Sequence, residues 1–331
     1  MHLIAPGRRQ ALAAAAVAVL APALPAAAQQ QPSWPSRPIQ LIVSFAPGGG
    51  TDLLARLLAR HLEKQLGAAV VVQNRPGAGG AIGLAETAKA APDGYTLGII
   101  NTPPLMTLPI ERKTSFSWSG FDLLGNLVDD PVAFAVPQSS AFPSLASLVA
   151  YAKAHPDEVT AGTGGAGTDD HLGLLLFERA AGVRLCHVPY KGASDVRVAL
   201  MGGQVMVGVI NFGKVLQFQK AGTALRFLGQ AAAARSPMDD KVPTFREQGY
   251  DVLLSALRGV GAPKGLPEPV RHRLAEAIAR IVADPEFKAQ AESMFAPLRY
   301  LRPDAYLAEV KKGDAEFRQL WKEIPWNDQR S

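Results

Sequence analysis

Short apolar runs with strand character alternate along this chain with stretches whose apolar residues recur every three or four positions. Ile39-Gln40-Leu41-Ile42-Val43-Ser44 reads as a strand, and Leu53, Leu54, Leu57, Leu58, Leu62 and Leu66 mark one stripe of a helix that Gly67 ends. Val70-Val71-Val72 is a second strand. A helix follows through Leu84 and Ala88, and residues 95–100 form a third strand behind the turn Pro92-Asp93-Gly94. From Val132 the pattern begins again. Residues 132–136 read as a strand, Leu145, Leu148, Val149 and Ala152 as a helix face, Val159-Thr160-Ala161 as a strand, and Leu172, Leu175, Leu176 and Phe177 as a helix. Residues 183–188 are strand-like, 196–201 helical, 205–210 a fully apolar strand and 225–228 another. The stretch 252–260 reads as a return strand, and helices rich in Ala, Glu and Arg close the chain from Pro269. Such alternation predicts an α/β protein with parallel sheets flanked by helices. No long linker separates the blocks, which suits two lobes joined by crossing strands better than two independent domains.

The first residues carry a different pattern. Arg8-Arg9 precedes an apolar run over residues 11–20, Pro22 and Pro25 interrupt it, and Ala26-Ala27-Ala28 supplies small residues for a signal peptidase. This reads as an export signal, residues 1–28, cleaved near Ala28. The run is too short for a membrane core of ~30 Å. Arg8-Arg9-Gln10-Ala11-Leu12 also resembles a twin-arginine signal, with alanine where a bulky apolar residue is usual, so both export routes stay open. No cysteine lies near Ala28 to take a lipid. The expected location is periplasmic.

Composition narrows the classes further. With 48% apolar residues, a mature chain of roughly 300 residues buries one large core or two smaller ones. The net charge of +5 is mildly basic, but the Lys and Arg residues are scattered without interleaved aromatics, which argues against nucleic acid. The lone Cys186 has no internal partner for a disulfide and reads as a core thiol.

Candidate chemistry concentrates in two glycine-rich loops, Phe45-Ala46-Pro47-Gly48-Gly49-Gly50-Thr51-Asp52 and Gly162-Thr163-Gly164-Gly165-Ala166-Gly167-Thr168-Asp169-Asp170-His171. Each follows a strand and opens a helix, where the backbone comes close to a ligand and free amides favour an anion. Two such sites suggest an acid held between two lobes. Gly162, Gly164 and Gly167 also fit a dinucleotide turn, yet no acidic residue stands between Glu178 and Asp195 to hold a ribose. No Lys follows Gly50 to complete a nucleotide-phosphate loop, and no Gly-x-Ser-x-Gly elbow occurs. Cys186 and His187, adjacent on a strand, point to opposite faces and make no nucleophile–base pair. Asp169-Asp170-His171 is expected to cap its helix rather than bind metal, with His171 packed behind the loop. Asp52 is expected to orient its loop through backbone amides. No catalytic residue, metal or cofactor is expected.

Taken together, Trp34-Pro35-Ser36-Arg37-Pro38-Ile39 through Asp52, Asn74-Arg75-Pro76-Gly77-Ala78-Gly79-Gly80, Ala91-Pro92-Asp93-Gly94-Tyr95-Thr96-Leu97, Gly165-Ala166-Gly167-Thr168 with His171-Leu172, Val188-Pro189-Tyr190-Lys191-Gly192 and Gly202-Gly203-Gln204-Val205 resemble the solute receptors of tripartite tricarboxylate transporters, the Bug receptors. The resemblance covers nearly the whole mature chain in order. It implies a two-lobed periplasmic binding protein of type II topology, each lobe a mainly parallel sheet flanked by helices. Lobe 1 would comprise residues 32–133 and 255–331, lobe 2 residues 134–254, with crossings near Phe134 and Ser255.

The implied function is capture of a di-, tri- or aromatic carboxylate for a tripartite transporter or a sensor kinase, by a monomer. The ligand-binding residues would be Pro47, Gly48, Gly49, Gly50, Thr51, Asp52, Asn101, Thr163, Gly165, Ala166, Gly167, Thr168, His171, Tyr190, Lys191 and Asn211. The competing readings are a dinucleotide-dependent enzyme using the 162–167 turn and a non-catalytic envelope scaffold. The chain departs from the family at Met206 and Asn211, where aspartates are usual. Losing the strand-end acid disfavours a ligand ammonium, whereas on structural grounds alone Met206 is a core residue and Asn211 a helix cap. Hydrogen bonds to a charged group contribute about 1.5–3 kcal/mol each, so several of them, with some apolar contact and lobe closure, give binding without requiring an arginine.

Overall fold

The first strand-like run becomes β1 (Ile39–Val43), and the leucine stripe behind it becomes α1 (Gly50–Leu66), which Gly67 closes in a left-handed conformation. The structure, a computed structural model, describes residues 34–326; the expected signal peptide, 1–28, lies outside them. Then follow β2 (Val70–Asn74), α2 (Ala81–Lys89), β3 (Thr96–Asn101), α3 (Pro104–Glu111), β4 (Phe121–Pro137), α4 (Leu145–Ala154), β5 (Thr160–Thr163) and α5 (Asp169–Ala181). The chain continues through β6 (Cys186–Pro189), α6 (Ala193–Met201), β7 (Val207–Asn211), α7 (Phe212–Lys220) and β8 (Leu225–Gln230). It closes with β9 (Ser255–Pro263), α8 (Glu268–Ala283), α9 (Pro285–Ser293), β10 (Leu298–Leu301) and α10 (Pro303–Glu323).

Two sheets share the long strand β4. In the first, β1 lies parallel between β2 and β3, β3 pairs antiparallel with β9, and β9 with the first part of β4, which β10 flanks. In the second, β5 lies parallel between β6 and β7, and the last part of β4 runs antiparallel between β7 and β8. Pairing with β9 ends at Pro131 opposite Ser255, and pairing with β7 begins at Val132 opposite Asn211. The chain therefore changes sheets between two adjacent residues of β4 and at the start of β9.

Each sheet carries its own core. Ile39, Leu57, Leu97, Val260, Leu274 and Phe287 are buried on the first. On the second, Phe134, Phe177 and Phe245 meet with ring centroids 4.7–5.4 Å apart, an arrangement favoured by the ring quadrupoles.

Three elements differ from the sequence pattern. β4 begins at Phe121, eleven residues before the apolar run at 132, because its first part buries polar side chains that find hydrogen-bond partners there. Asp122 accepts from Lys264 and from the Gly265 and Leu266 amides, and Asn126 donates to the Val128 and Arg299 carbonyls. β6 is a four-residue edge strand starting at Cys186, and its thiol is exposed, which corrects the expectation of a core cysteine. The edge position leaves one side of the strand without a covering layer. α3 escapes a periodicity reading because Pro104 and Pro109 sit inside it.

Candidate functional site

In both sheets the parallel strands end, at their carboxyl edge, in loops that open helices, the place where α/β proteins bind ligands. The two glycine loops occupy equivalent positions and share one backbone geometry. Gly48 has φ +80° and Gly167 φ +74°, and the next residue caps the helix with φ −75° and ψ 166° at Gly49, φ −76° and ψ 166° at Thr168. In each, the side chain four residues after the left-handed glycine accepts that glycine's amide: Gly48 N–H donates to Asp52 Oδ2 at 2.9 Å, and Gly167 N–H to His171 Nδ1 at 3.1 Å. The first amides of α1 and α5 have no partner within their own helices.

Asp52 is the organiser of the first loop. Burial raises its pKa, but hydrogen bonds from Arg56, Gly48 and Asn74 outweigh this and hold the carboxyl below its usual value. Its neighbour Thr51 accepts from Asn101 Nδ2 at 2.9 Å, which ties the loop to the end of β3. Pro47 and Gly48 are exposed, Gly49 and Gly50 half-buried, and Thr51, Asp52 and Asn101 buried.

The second loop is organised by neutral groups. His171 is buried, which together with the adjacent His187 holds its pKa at about 3, so Nδ1 is free to accept and the ring proton sits on Nε2. The His171 and His187 rings stack at 4.0 Å, and His187 Nε2 lies 2.7 Å from Thr163 Oγ1. Thr168 caps α5, accepting from His171 N–H and donating to the Gly165 carbonyl. The acids expected to cap α5 do other work. Asp170 accepts from the Gly164 amide, and Asp169 accepts from Asn211 Nδ2 at 2.6 Å; burial raises both pKa values, Asp170 well above the ordinary range.

Asn211 precedes α7 without a side-chain cap, contrary to that expectation: its amide donates to Asp169 and to the Asp130 carbonyl. Met206 is half-buried against the second core. Tyr190 follows β6, its amide donating to the Thr163 carbonyl, and Lys191 is exposed beside it. Ala166 is exposed and Gly165 half-buried. Gly167 packs against the first lobe. Its carbonyl accepts from Thr107 Oγ1 at 3.4 Å, and a Cβ at this position would stand 3.0 Å from Glu111 Oε2.

Arg258 is the residue that sequence reasoning missed. It lies on β9 in register with Asn101 of β3, is 9% exposed, and donates from Nη1 to Asp130 Oδ2 at 3.0 Å and from Nη2 to Asn211 Oδ1 at 3.2 Å. A Cβ built on Gly50 would stand 3.9 Å from its Cζ and Nη2. The guanidinium thus rests on the first turn of α1 and reaches, through Asn211, the first residue of α5. The available signal was a lone charge inside the apolar stretch 252–260. Lys214, whose pKa burial and then Arg258 push down, stands nearby.

A cavity of about 660 Å³ lies elsewhere, lined among others by Gln230, Ala231, Leu254, Arg299 and Phe317, and it contains none of the expected ligand residues. Its cations already have partners: Arg299 pairs with Asp129 and Glu309, and Arg235 with Glu247. Among the described residues no group of three or more His, Cys, Asp or Glu side chains is placed to hold a metal, and no helix is long and apolar enough to cross a membrane.

Comparison with known proteins places this architecture. The model of the tripartite tricarboxylate transporter family receptor, TctC, matches residues 54–297. The chain belongs to this family. It is 39% identical to the protein BugT of Bordetella pertussis over 240 residues, 70% of this chain and 72% of that protein. Among solved structures it is similar to the periplasmic binding protein BugD, at 30% identity and TM-score 0.78 over 88% of this chain and 99% of that one. It also resembles a Rhodopseudomonas palustris protein with adipate (29%, TM-score 0.81, 87% and 97% covered) and MatC of the same species with bound malate (26%, TM-score 0.77, 86% and 99%). The fold is accordingly the two-lobed one of periplasmic binding proteins. The family is one of transport receptors rather than enzymes, so the dinucleotide-enzyme reading of the 162–167 turn is set aside.

Proposed function

We propose that this protein captures a small di-, tri- or aromatic carboxylate between its two lobes, outside the cytoplasm after export, and delivers it to a tripartite transporter or reports it to a sensor kinase. Lobe 1 comprises residues 32–133 and 255–331 and lobe 2 residues 134–254. The ligand meets the loop 47–52 with Asn101 from one side, and Thr163, the loop 165–168, His171, Tyr190, Lys191 and Asn211 from the other. The observation that carries this reading is the matched pair of loops, alike in backbone angles and in the way the left-handed glycine is held, and bridged by Arg258 and Asn211. Similar proteins have been solved with adipate and with bound malate, which supports an acid of the same broad class here.

The amide at position 211 does not by itself exclude a ligand ammonium. The acid missing at position 211 has a neighbour in Asp169, whose carboxyl lies 2.6 Å from the Asn211 amide. The preference for an acid therefore rests on the amide-rich loops and not on position 211.

Thermal-shift screening of the mature protein against mono-, di- and tricarboxylates, followed by calorimetry, tests the proposal, because a ligand that prefers the folded state raises the melting temperature. A stoichiometric complex without turnover is expected. A flat screen over the whole panel would point instead to an envelope scaffold.

A further inference from the structure

We propose that Arg258 is the residue that reads the carboxylate charge in this cleft, resting on the receptor function proposed above. The backbone loops by themselves offer dipoles, and dipoles accept any electronegative group. A guanidinium adds a full charge and a fixed array of donors, and discriminates an ionised acid from a neutral isostere. Arg258 is only 9% exposed, and its Nε has no hydrogen-bond partner among the described residues although it is buried. Its neighbour across β3 and β9, Asn101, is 7% exposed and also carries an unpartnered buried atom, Oδ1. Two adjacent buried side chains with unspent hydrogen-bonding capacity, both set against the first turn of α1, mark a place built for polar ligand atoms: the Arg258 Nε–H is a donor for a carboxylate, and Asn101 Oδ1 is an acceptor for a hydroxyl on the same ligand.

The charge around Arg258 fits the same role. Asp130 neutralises it on the side away from α1, through Nη1, and also accepts from the Gly213 amide; the resulting link fixes the guanidinium plane. Nη2 is held by Asn211, an uncharged acceptor, with the carboxyl of Asp169 one bond further on, so no carboxylate bonds the α1 side of the group directly. The half-buried Lys214 adds a second cation near it. A carboxylate entering between α1 and α5 meets a guanidinium already oriented, together with the free amides of α1.

Calorimetry with succinate, malate, adipate, citrate and benzoate, and with the primary amides of the tightest binder, tests this assignment. The wild type should bind that acid at least 10-fold more tightly than its amide. Because Arg258→Gln alone leaves Asp130 as a buried uncompensated charge, the informative variant is Arg258→Gln with Asp130→Asn, its fold checked by circular dichroism. It should bind the acid about 10- to 100-fold more weakly while its affinity for the amide stays the same. Arg258→Lys, which keeps the charge but loses the fork, should fall between the two. Equal binding of acid and amide by the wild type, or an unchanged acid affinity in the double variant, overturns the role of Arg258 while leaving a carboxylate receptor intact. A wild type that binds none of the acids overturns the receptor function and this assignment with it.

Discussion

Two kinds of buried titratable side chain pull the stability of this protein in opposite directions with pH. Burial holds the imidazoles of His171 and His187 at pKa values of about 3 and about 4, against 6.5 when exposed. Between those values the unfolded chain binds more protons, so stability falls as the pH drops below about 6.5, by about 2 kcal/mol at pH 5 for His171. Glu178 does the reverse. Burial pushes its carboxyl up to about 7 from 4.5, so the folded state holds the extra proton and stability rises as the pH falls from 7 toward 4.5. Glu178→Gln should therefore stabilise the protein at pH 8 by about 2–3 kcal/mol. It should also steepen the loss between pH 7 and 5. Urea titrations at several pH values read both effects, and superimposable profiles for the two proteins would show that Glu178 is charged in the fold at neutral pH. At position 211, Asn211→Asp brings a second carboxyl to within bonding distance of Asp169, and the pair cannot both ionise without repulsion. The variant should lose about 1–3 kcal/mol at pH 7 and recover part of it by pH 5, as the shared proton returns. A deficit independent of pH would mean that Arg258 takes up the new charge alone.

At the scale of the element, the two strand–loop–helix units share one glycine that the backbone demands, and the first carries another, Gly50, that it does not. Gly48 and Gly167 sit at φ +80° and +74°, where a side chain costs about 1–2 kcal/mol. Gly50 is helical, and a Cβ there meets only Arg258 at 3.9 Å. Gly48→Ala and Gly167→Ala should each destabilise by that amount in urea melts, whereas Gly50→Ala should not, alanine being the better helix former. Gly50→Val should instead leave the fold and weaken carboxylate binding, since its branches reach Arg258. Unchanged calorimetric affinity in Gly167→Val would remove the second loop from the site. These loops were legible in the sequence because strand, glycine run and helix stripe each leave a local signal. β4 was half legible: its apolar residues 132–136 read as a strand, while Asp122, Asn126, Asp129 and Asp130 disguised the rest, their partners lying far away in the chain. Arg258 was not legible as part of a site, because only the pairing of β9 with β3 brings it to Asn101 and α1.

At the scale of the whole molecule, the question is what a ligand does to two lobes joined through β4 and β9. The change of sheet falls between Pro131 and Val132 and at Ser255, so a small rotation there moves whole sheets without disturbing either core. The lobes meet in this structure through Thr107 and the Gly167 carbonyl, the side chains of Glu111 and Trp326 near Gly167, the ion pair between Arg179 and Glu323, the bond from Arg258 to Asn211, and an apolar cluster in which Leu172 of α5 is buried with Leu105, Phe317 and Trp326. The exposed ion pair contributes about 0–1 kcal/mol, whereas the apolar cluster and the Arg258 side chain are buried. Lobe alternation was foreseeable from the restart of the pattern at Val132; the contacts that hold the lobes together were not, because each joins residues dozens to more than a hundred positions apart. Because each lobe keeps its own core apart from this contact, the free protein should populate open states, and a carboxylate that bonds α1 and α5 at once should withdraw it from them. Small-angle scattering of the mature protein, alone and saturated with the acid that calorimetry finds tightest, should show a smaller radius of gyration in the complex. Replacing Thr107 by valine should leave that final radius unchanged, since the ligand supplies the bridge. Identical radii with and without bound acid would mean that the pocket is preformed and that the junctions at Pro131 and Ser255 do not act as a hinge.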